Sequence, residues 1–184
     1  MNSAQLKKYL GFYMDFLEVT LIIVGVIMIS YLFLGQLLEI TGESMDPTLL
    51  DKEQIVAEKV SLLYSPLKRG DIVIFRHPHQ TRRLIVKRII GLPGERIKIT
   101  AGKVYINDEV LDEYYVKNLH GTVGGDVIRE NVEYKIADDS YVAMGDNREK
   151  STDSREWGGV TRELIIGRGF LVFKPLSNLR FIQP

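Results

Sequence analysis

The chain has 184 residues, 45% of them hydrophobic, with 24 Lys and Arg against 24 Asp and Glu and no cysteine; that length suffices for one folded domain and an appendage. A net charge of zero without a sustained basic block excludes a nucleic-acid partner, because phosphate binding is driven by clustered Lys and Arg. The absence of cysteine excludes a disulfide framework, a CxxC redox pair and a thiolate metal site, and leaves the compartment open.

In chain order, the first element is the apolar run FLEVTLIIVGVIMISYLFLGQLL, Phe16 to Leu38, which carries no charge between Val19 and Leu34. Roughly 20 such residues in a helix cross the hydrocarbon core of a bilayer. The run exceeds an ordinary secretory h-region, and GQLLEITGE follows it in place of a small-x-small cleavage site, which favours a retained signal anchor over a removed one. Lys7 and Lys8 precede the run, whereas Glu39, Glu43, Asp46 and Asp51 come before the next basic residue, Lys52. The positive-inside rule then divides the chain into a short cytoplasmic tail (1–15), a transmembrane anchor (16–38) and an extracytoplasmic domain (39–184).

Beyond Ile40 the pattern changes to short runs rich in Val, Ile and Tyr. Strands are predicted near Gln54–Val60, Asp71–Arg76, Leu84–Ile90, Arg96–Thr100, Lys103–Ile106, Glu133–Ile136, Tyr141–Met144 and Gly169–Phe173. Turn signals separate them at Lys68-Arg69-Gly70, His77-Pro78-His79, Leu92-Pro93-Gly94, Ala101-Gly102 and Asn107-Asp108. No helical stripe of comparable length follows the anchor. The expected fold is therefore mostly β: a single N-terminal transmembrane helix, then an antiparallel barrel or sandwich.

Two residues in this domain bear on chemistry. In the strand RRLIVKRII, Lys87 shares a face with Ile85 and Ile89, because side chains alternate along a strand. Burial disfavours an ammonium and lowers its pKa, which makes a general base of the amine; a lysine at a sheet edge, keeping its head in water, has the same sequence. Ser44, in ESMDPTLL just past the anchor, reads as a nucleophile or as a hydroxyl-to-backbone turn ahead of Asp46-Pro47. Four segments occur together in order: SMDPTL after a membrane span, GDIVIF, VKRIIGLPGE and GDNREKSTDSREWGG. Together they resemble the boxes of the type I signal peptidases, membrane-anchored serine proteases with a Ser/Lys dyad, and the chain length is similar to the compact Gram-positive members. The likeness runs from the anchor to about Phe173.

The resemblance implies that Ser44 is the nucleophile and Lys87 its general base, with no cofactor and no metal. A serine hydroxyl needs an adjacent base, and a desolvated lysine serves without histidine. It further implies that the Ser151 hydroxyl lies beside the lysine, that Asp153 and Arg155 form a structural ion pair, and that Ile40, Met45, Leu49, Ile85 and Val86 line the substrate pockets. Its implied partners are secretory preproteins and the lipid bilayer, its place the outer face of the cytoplasmic membrane. Some members carry a serine two residues before the nucleophile, whose hydroxyl helps to bind the oxyanion; here that position is Gly42, so a backbone donor such as the Ser44 amide has to serve.

The competing mechanism is a Ser-His-Asp triad, for which His77, His79 and His120 are available, but no sequence signal sets any of them against a serine. All three are expected at the surface. A His-x-His metal site at His77 and His79 lacks an evident third ligand. The other readings are a Ser/Lys protease of the self-cleaving repressor type, which is soluble and fits the anchor poorly, and a membrane-tethered β domain that only binds partners.

Overall fold

A computed structural model of the chain describes residues 3–116 and 120–183. It divides into two units, residues 1–35 and 36–184. The first is one helix, α1 (Ser3–Leu34), whose window Tyr9–Met28 has a mean hydropathy of 2.0 and no buried residue. A helix with apolar side chains exposed on all sides has no stable place in water, and this one is long and apolar enough to cross a bilayer. It starts earlier than the expected 16–38 span and also ends earlier. Gly35 closes it, and Gln36–Glu39 is instead a strand, β1, paired from Gln36↔Ala57 to Glu39↔Gln54. The apolar pair Leu37-Leu38 reads equally well as helix end or strand; the partner strand decides. The side chains of Lys7 and Lys8, on which the expected orientation rests, lie outside the described residues.

The second unit is built almost wholly of antiparallel strands: β2 (Gln54–Glu58), β3 (Ile72–His77), β4 (Gln80–Gly91), β5 (Arg96–Thr100), β6 (Lys103–Ile106), β7 (Glu109–Val110), β8 (Tyr134–Lys135), β9 (Ser140–Met144), β10 (Val160–Thr161), β11 (Ile165–Lys174) and β12 (Arg180–Phe181). Two short helices interrupt them, α2 (Ser61–Tyr64) and α3 (Ser154–Trp157). One sheet runs β1-β2-β11-β3-β4-β9-β10 with β12 on β11; a smaller one runs β7-β6-β5-β8. The predicted strands are all present within a few residues, whereas β1, β7, β10 and β12 were not expected. The last three are two residues long, too short for alternation to show.

Local sequence explains the smaller sheet. In RIKIT-AG-KVYI the residues Ile97, Ile99, Val104 and Ile106 are buried and the intervening ones are not, and Ala101 and Gly102 both have positive φ. That is a two-residue turn matching the strand twist. Asn107 and Asp108 repeat it before β7. β4 is different: Gln80 to Arg83 are exposed, whereas Lys87 to Gly91 are buried. Alternation disappears because both faces are covered there, Ile89 packing into one apolar cluster and Ile90 into another, while β9 joins the second edge from Arg88 onward. Between Arg83 and Lys87, β4 is paired on the β3 side only.

Candidate active site

Ser44 lies in the loop between β1 and β2. Met45 and Leu49 are buried in the core beneath it, and the Leu49 amide donates to the Met45 carbonyl at 2.9 Å. These apolar plugs hold the loop from below. Gly42 has φ +91°, a conformation that favours glycine, and its amide donates to Asp51 Oδ1 at 2.7 Å. From the far side, the Asn147 amide donates to the Ser44 carbonyl at 3.1 Å. A Cβ on Gly145 would collide with that carbonyl and with the Ser151 side chain, so the Gly145-Asp146-Asn147 turn packs directly under Ser44 only because it begins with glycine.

The Lys87 Nζ stands 2.5 Å from the Ser44 Oγ. Lys87 is 3% exposed, on the face of β4 that also carries Ile85 and the fully buried Ile89. Burial pulls its pKa from 10.5 down to about 8, against the nearby carboxylates of Asp153 and Asp146, which raise it. A large share of the amine is therefore neutral in mildly alkaline solution.

Asp153 is fully buried, and burial alone would raise its pKa. The Arg155 guanidinium, with hydrogen bonds from Ser151 and the Gly145 amide, instead holds it below the ordinary carboxylate value. Arg155 Nε lies 2.8 Å from Asp153 Oδ1, so the expected ion pair is present. The expected partnership of Ser151 differs. Its hydroxyl donates to Asp153 Oδ2 at 2.7 Å, and among the described residues Lys87 is hydrogen-bonded to Ser44 and not to Ser151. An ionised, buried carboxylate is the stronger acceptor.

The cleft above this pair has a volume of about 550 Å³. Of the expected pocket residues, Ile40, Met45, Ile85 and Val86 line it; Leu49 does not, being fully buried below in the cluster with Met45. His77 and Trp157 are among the lining residues that were not expected. His77, anticipated as a surface residue, is half-buried with its ring 4.7 Å from that of Trp157. Burial, with His79 and Arg83 close by, lowers its pKa. Its Nδ1 accepts from the His79 amide at 3.0 Å, and among the described residues the Ser44 hydroxyl is bonded to Lys87 and not to His77. His79 and His120 are exposed. A larger cleft, about 730 Å³, lies against Thr48, Arg88, Tyr115 and Arg180 and includes neither Ser44 nor Lys87.

Sequence reasoning also missed what anchors the turn beneath the serine. Arg88, next to the lysine but on the opposite face of β4, is 2% exposed and forms a two-bond pair with Asp146, both bonds 2.9 Å. Thr48 Oγ1 donates to the same carboxylate at 2.5 Å, and the guanidinium lies 4.1 Å from the centre of the Tyr115 ring. One ion pair thus ties β4, the serine loop and the Gly145 turn together. The only sequence signal for it was an arginine beside Lys87 in the stretch LIVKRII.

A buried amine touching a serine hydroxyl, in an open cleft of a β-rich domain, suits nucleophilic attack on a carbonyl. The class is that of a candidate serine hydrolase with an amine base. Residues 13–174 match the family model described as signal peptidase, peptidase S26. A signal peptidase I of Leptolyngbya laminosa is 36% identical over 160 residues, covering 83% of this chain and 75% of that protein. Signal peptidase I U of Bacillus subtilis is 37% identical over 170 residues, covering 88% and 90%. A solved signal peptidase I of Enterococcus faecalis aligns with a TM-score of 0.47 and 28% identity, over 56% of this chain and 97% of that one. The chain belongs to the signal peptidase family, peptidase S26, and is similar over most of its length to type I signal peptidases.

Proposed function

We propose that this chain is a serine endopeptidase that removes N-terminal signal peptides from secretory preproteins after small-x-small sites, with Ser44 as nucleophile and Lys87 as general base. The observation that carries the reading is the 2.5 Å approach of Lys87 Nζ to Ser44 Oγ, with the lysine pKa held near 8 by burial. In the acylation step, neutral Lys87 takes the Ser44 proton as Oγ attacks the scissile carbonyl, and the resulting ammonium returns a proton to the departing amine. In deacylation the same amine deprotonates a water that attacks the ester. The Ser44 amide makes no hydrogen bond among the described residues and is the donor on hand for the oxyanion, a role worth roughly 3 kcal/mol. Ser151, Asp153 and Arg155 act through position: their network sets the floor of the Ser44–Lys87 contact.

The cleft suits an extended chain. The stretch Arg83–Lys87 of β4 has one unpaired edge, and residues 39–45 face it across the cleft. A peptide strand laid between them would put alternate side chains, those one and three residues before the bond, on the same side. Ile40, Met45, Ile85 and Val86 would meet them there, and the limited depth favours small residues. The anchor, with Lys7 and Lys8 inside, sets the domain at the outer face of the cytoplasmic membrane, where signal peptides emerge from the bilayer.

The test is incubation of the detergent-solubilised full chain with a secretory precursor and sequencing of the new N-terminus. Ser44→Ala and Lys87→Ala should each abolish cleavage, and the double variant should be little worse, because residues acting as a unit are not additive. Near-normal cleavage by either single variant would sink the assignment.

A further inference from the structure

Residues 175–183 lie beyond the segment that matches the family model, and none of them lines the cleft over Ser44 and Lys87. They nevertheless return to the serine loop. β3 takes one edge of β11 as far as Arg168, β12 takes over that edge from Leu171, and β2 holds the other. Val172 pairs with both Arg180 and Ile55, so the register brings Arg180 level with the start of β2, where the serine loop ends.

The Arg180 guanidinium donates twice to the buried carboxylate of Glu53, from Nη1 to Oε1 at 2.8 Å and from Nη2 to Oε2 at 2.7 Å, and Nη2 also donates to the Thr48 carbonyl at 2.7 Å. Burial would raise the Glu53 pKa, but hydrogen bonds from Arg180, the Leu50 amide and Asn178 hold it below the ordinary carboxylate value. Thr48 is held from two sides: its carbonyl by Arg180, its hydroxyl by Asp146. The Leu49 amide closes the backbone onto the Met45 carbonyl, an i to i+4 turn that moves as one piece, so Thr48 and Ser44 shift together. On this side the loop borders the cleft of about 730 Å³, whose lining includes Pro47, Thr48 and Arg180. Open space lies there in place of packed side chains, and the two hydrogen bonds at Thr48 set where the loop stands.

We propose that Arg180 is a positioning residue for the Ser44–Lys87 pair: from the C-terminal strand it fixes the Thr48 carbonyl and, through the turn Met45–Leu49, the distance of the Ser44 Oγ from the Lys87 Nζ. The proposal rests on the protease reading for its kinetic consequence, whereas the placement of Ser44 against Lys87 stands apart from it. Misplacing a reacting group by about 1 Å costs on the order of 100-fold in rate. A lysine at position 180 keeps a cation beside Glu53, but a single ammonium lacks the planar fork that spans the carboxylate and the Thr48 carbonyl at once. Stability and position are therefore separable at this one residue.

The test compares the full chain in detergent with two variants that leave no buried charge unpaired: Arg180→Lys, and Arg180→Met combined with Glu53→Gln. Urea unfolding reads stability, and precursor cleavage reads kcat and KM. Both variants should unfold close to the unsubstituted protein yet lose kcat on the order of 10- to 100-fold, with KM unchanged because neither residue lines the substrate cleft. A second readout needs no cleavage. The chain lacks cysteine, so Ser44→Cys places a single thiol beside Lys87, whose charge lowers the thiol pKa from its free value of about 8.5; the alkylation rate against pH reads it. Adding Arg180→Lys should move that pKa back toward 8.5 as the thiol leaves the ammonium. An unmoved thiol pKa would overturn the proposal, as would a kcat that is unchanged or that falls only in step with stability across the variants. A thiol pKa that moves, in a protein whose unsubstituted form cleaves no precursor, would uphold the positioning and remove the protease reading.

Discussion

If Lys87 is the titrating base, a charge placed two residues away on its strand face must move the pH dependence of cleavage. Ile85 is such a site: it shares the face, lies roughly 7 Å along the strand, and is only half-buried, so an Asp there stays ionised. At an effective dielectric of about 20, a unit charge at that distance stabilises the ammonium by about 2.4 kcal/mol, or ~1.7 pH units. The base is active when neutral, so raising its pKa from about 8 carries the rising limb of kcat/KM upward, toward 9 to 10. Ile85→Asn wets the same place without a charge, and the separation between the Asp and Asn profiles isolates the Coulombic part. Because kcat/KM reports ionisation of the free enzyme, the loss of a cleft contact changes the height of the profile but not the position of its limb. The assay is precursor cleavage between pH 6 and 11 with circular dichroism as the check on folding. An Ile85→Asp protein that is folded and active yet titrates with Ile85→Asn would refute Lys87 as the base.

Two further outcomes follow from the same burial. The unfolded chain holds the Lys87 proton up to 10.5 and the folded one only below about 8, so burying this lysine costs roughly 3 kcal/mol at pH 7. The cost is fully present below pH 8 and disappears as pH rises toward 10.5; Lys87→Met should therefore be inactive yet melt higher than the unsubstituted protein at pH 7, with the gap in Tm closing above pH 10. Asp146→Ala leaves Arg88 buried without a counter-charge and should destabilise the fold by about 3–5 kcal/mol, read by urea unfolding, whereas exchanging Arg88 and Asp146 together for Met and Leu should recover much of that loss.

What was legible in the sequence was what is local. The β5–β6 hairpin followed from alternation and a turn that needs two residues with positive φ, and Lys87 from isoleucines at both i−2 and i+2. The Ser44 assignment needed more, since SMDP alone describes a turn; four ordered motifs supplied it. The relations that stayed hidden are all made by chain closure. Arg88 and Asp146 are 58 positions apart, and no window of sequence contains both. His77 looked like a surface turn residue because nothing nearby announces Trp157, 80 positions further on, as its ring partner. The strand β1 was read as membrane because its apolar pair continues the helix composition, and only β2 defines it. Ser151 was assigned to the lysine by resemblance, but its proton goes to Asp153, an acceptor whose ionisation depends on Arg155. A strand face can announce a base from a few residues; the environment that tunes that base is assembled from the turn at Gly145, the loop at Ser44 and the α3 helix at once, so it becomes readable only when the fold has brought them together.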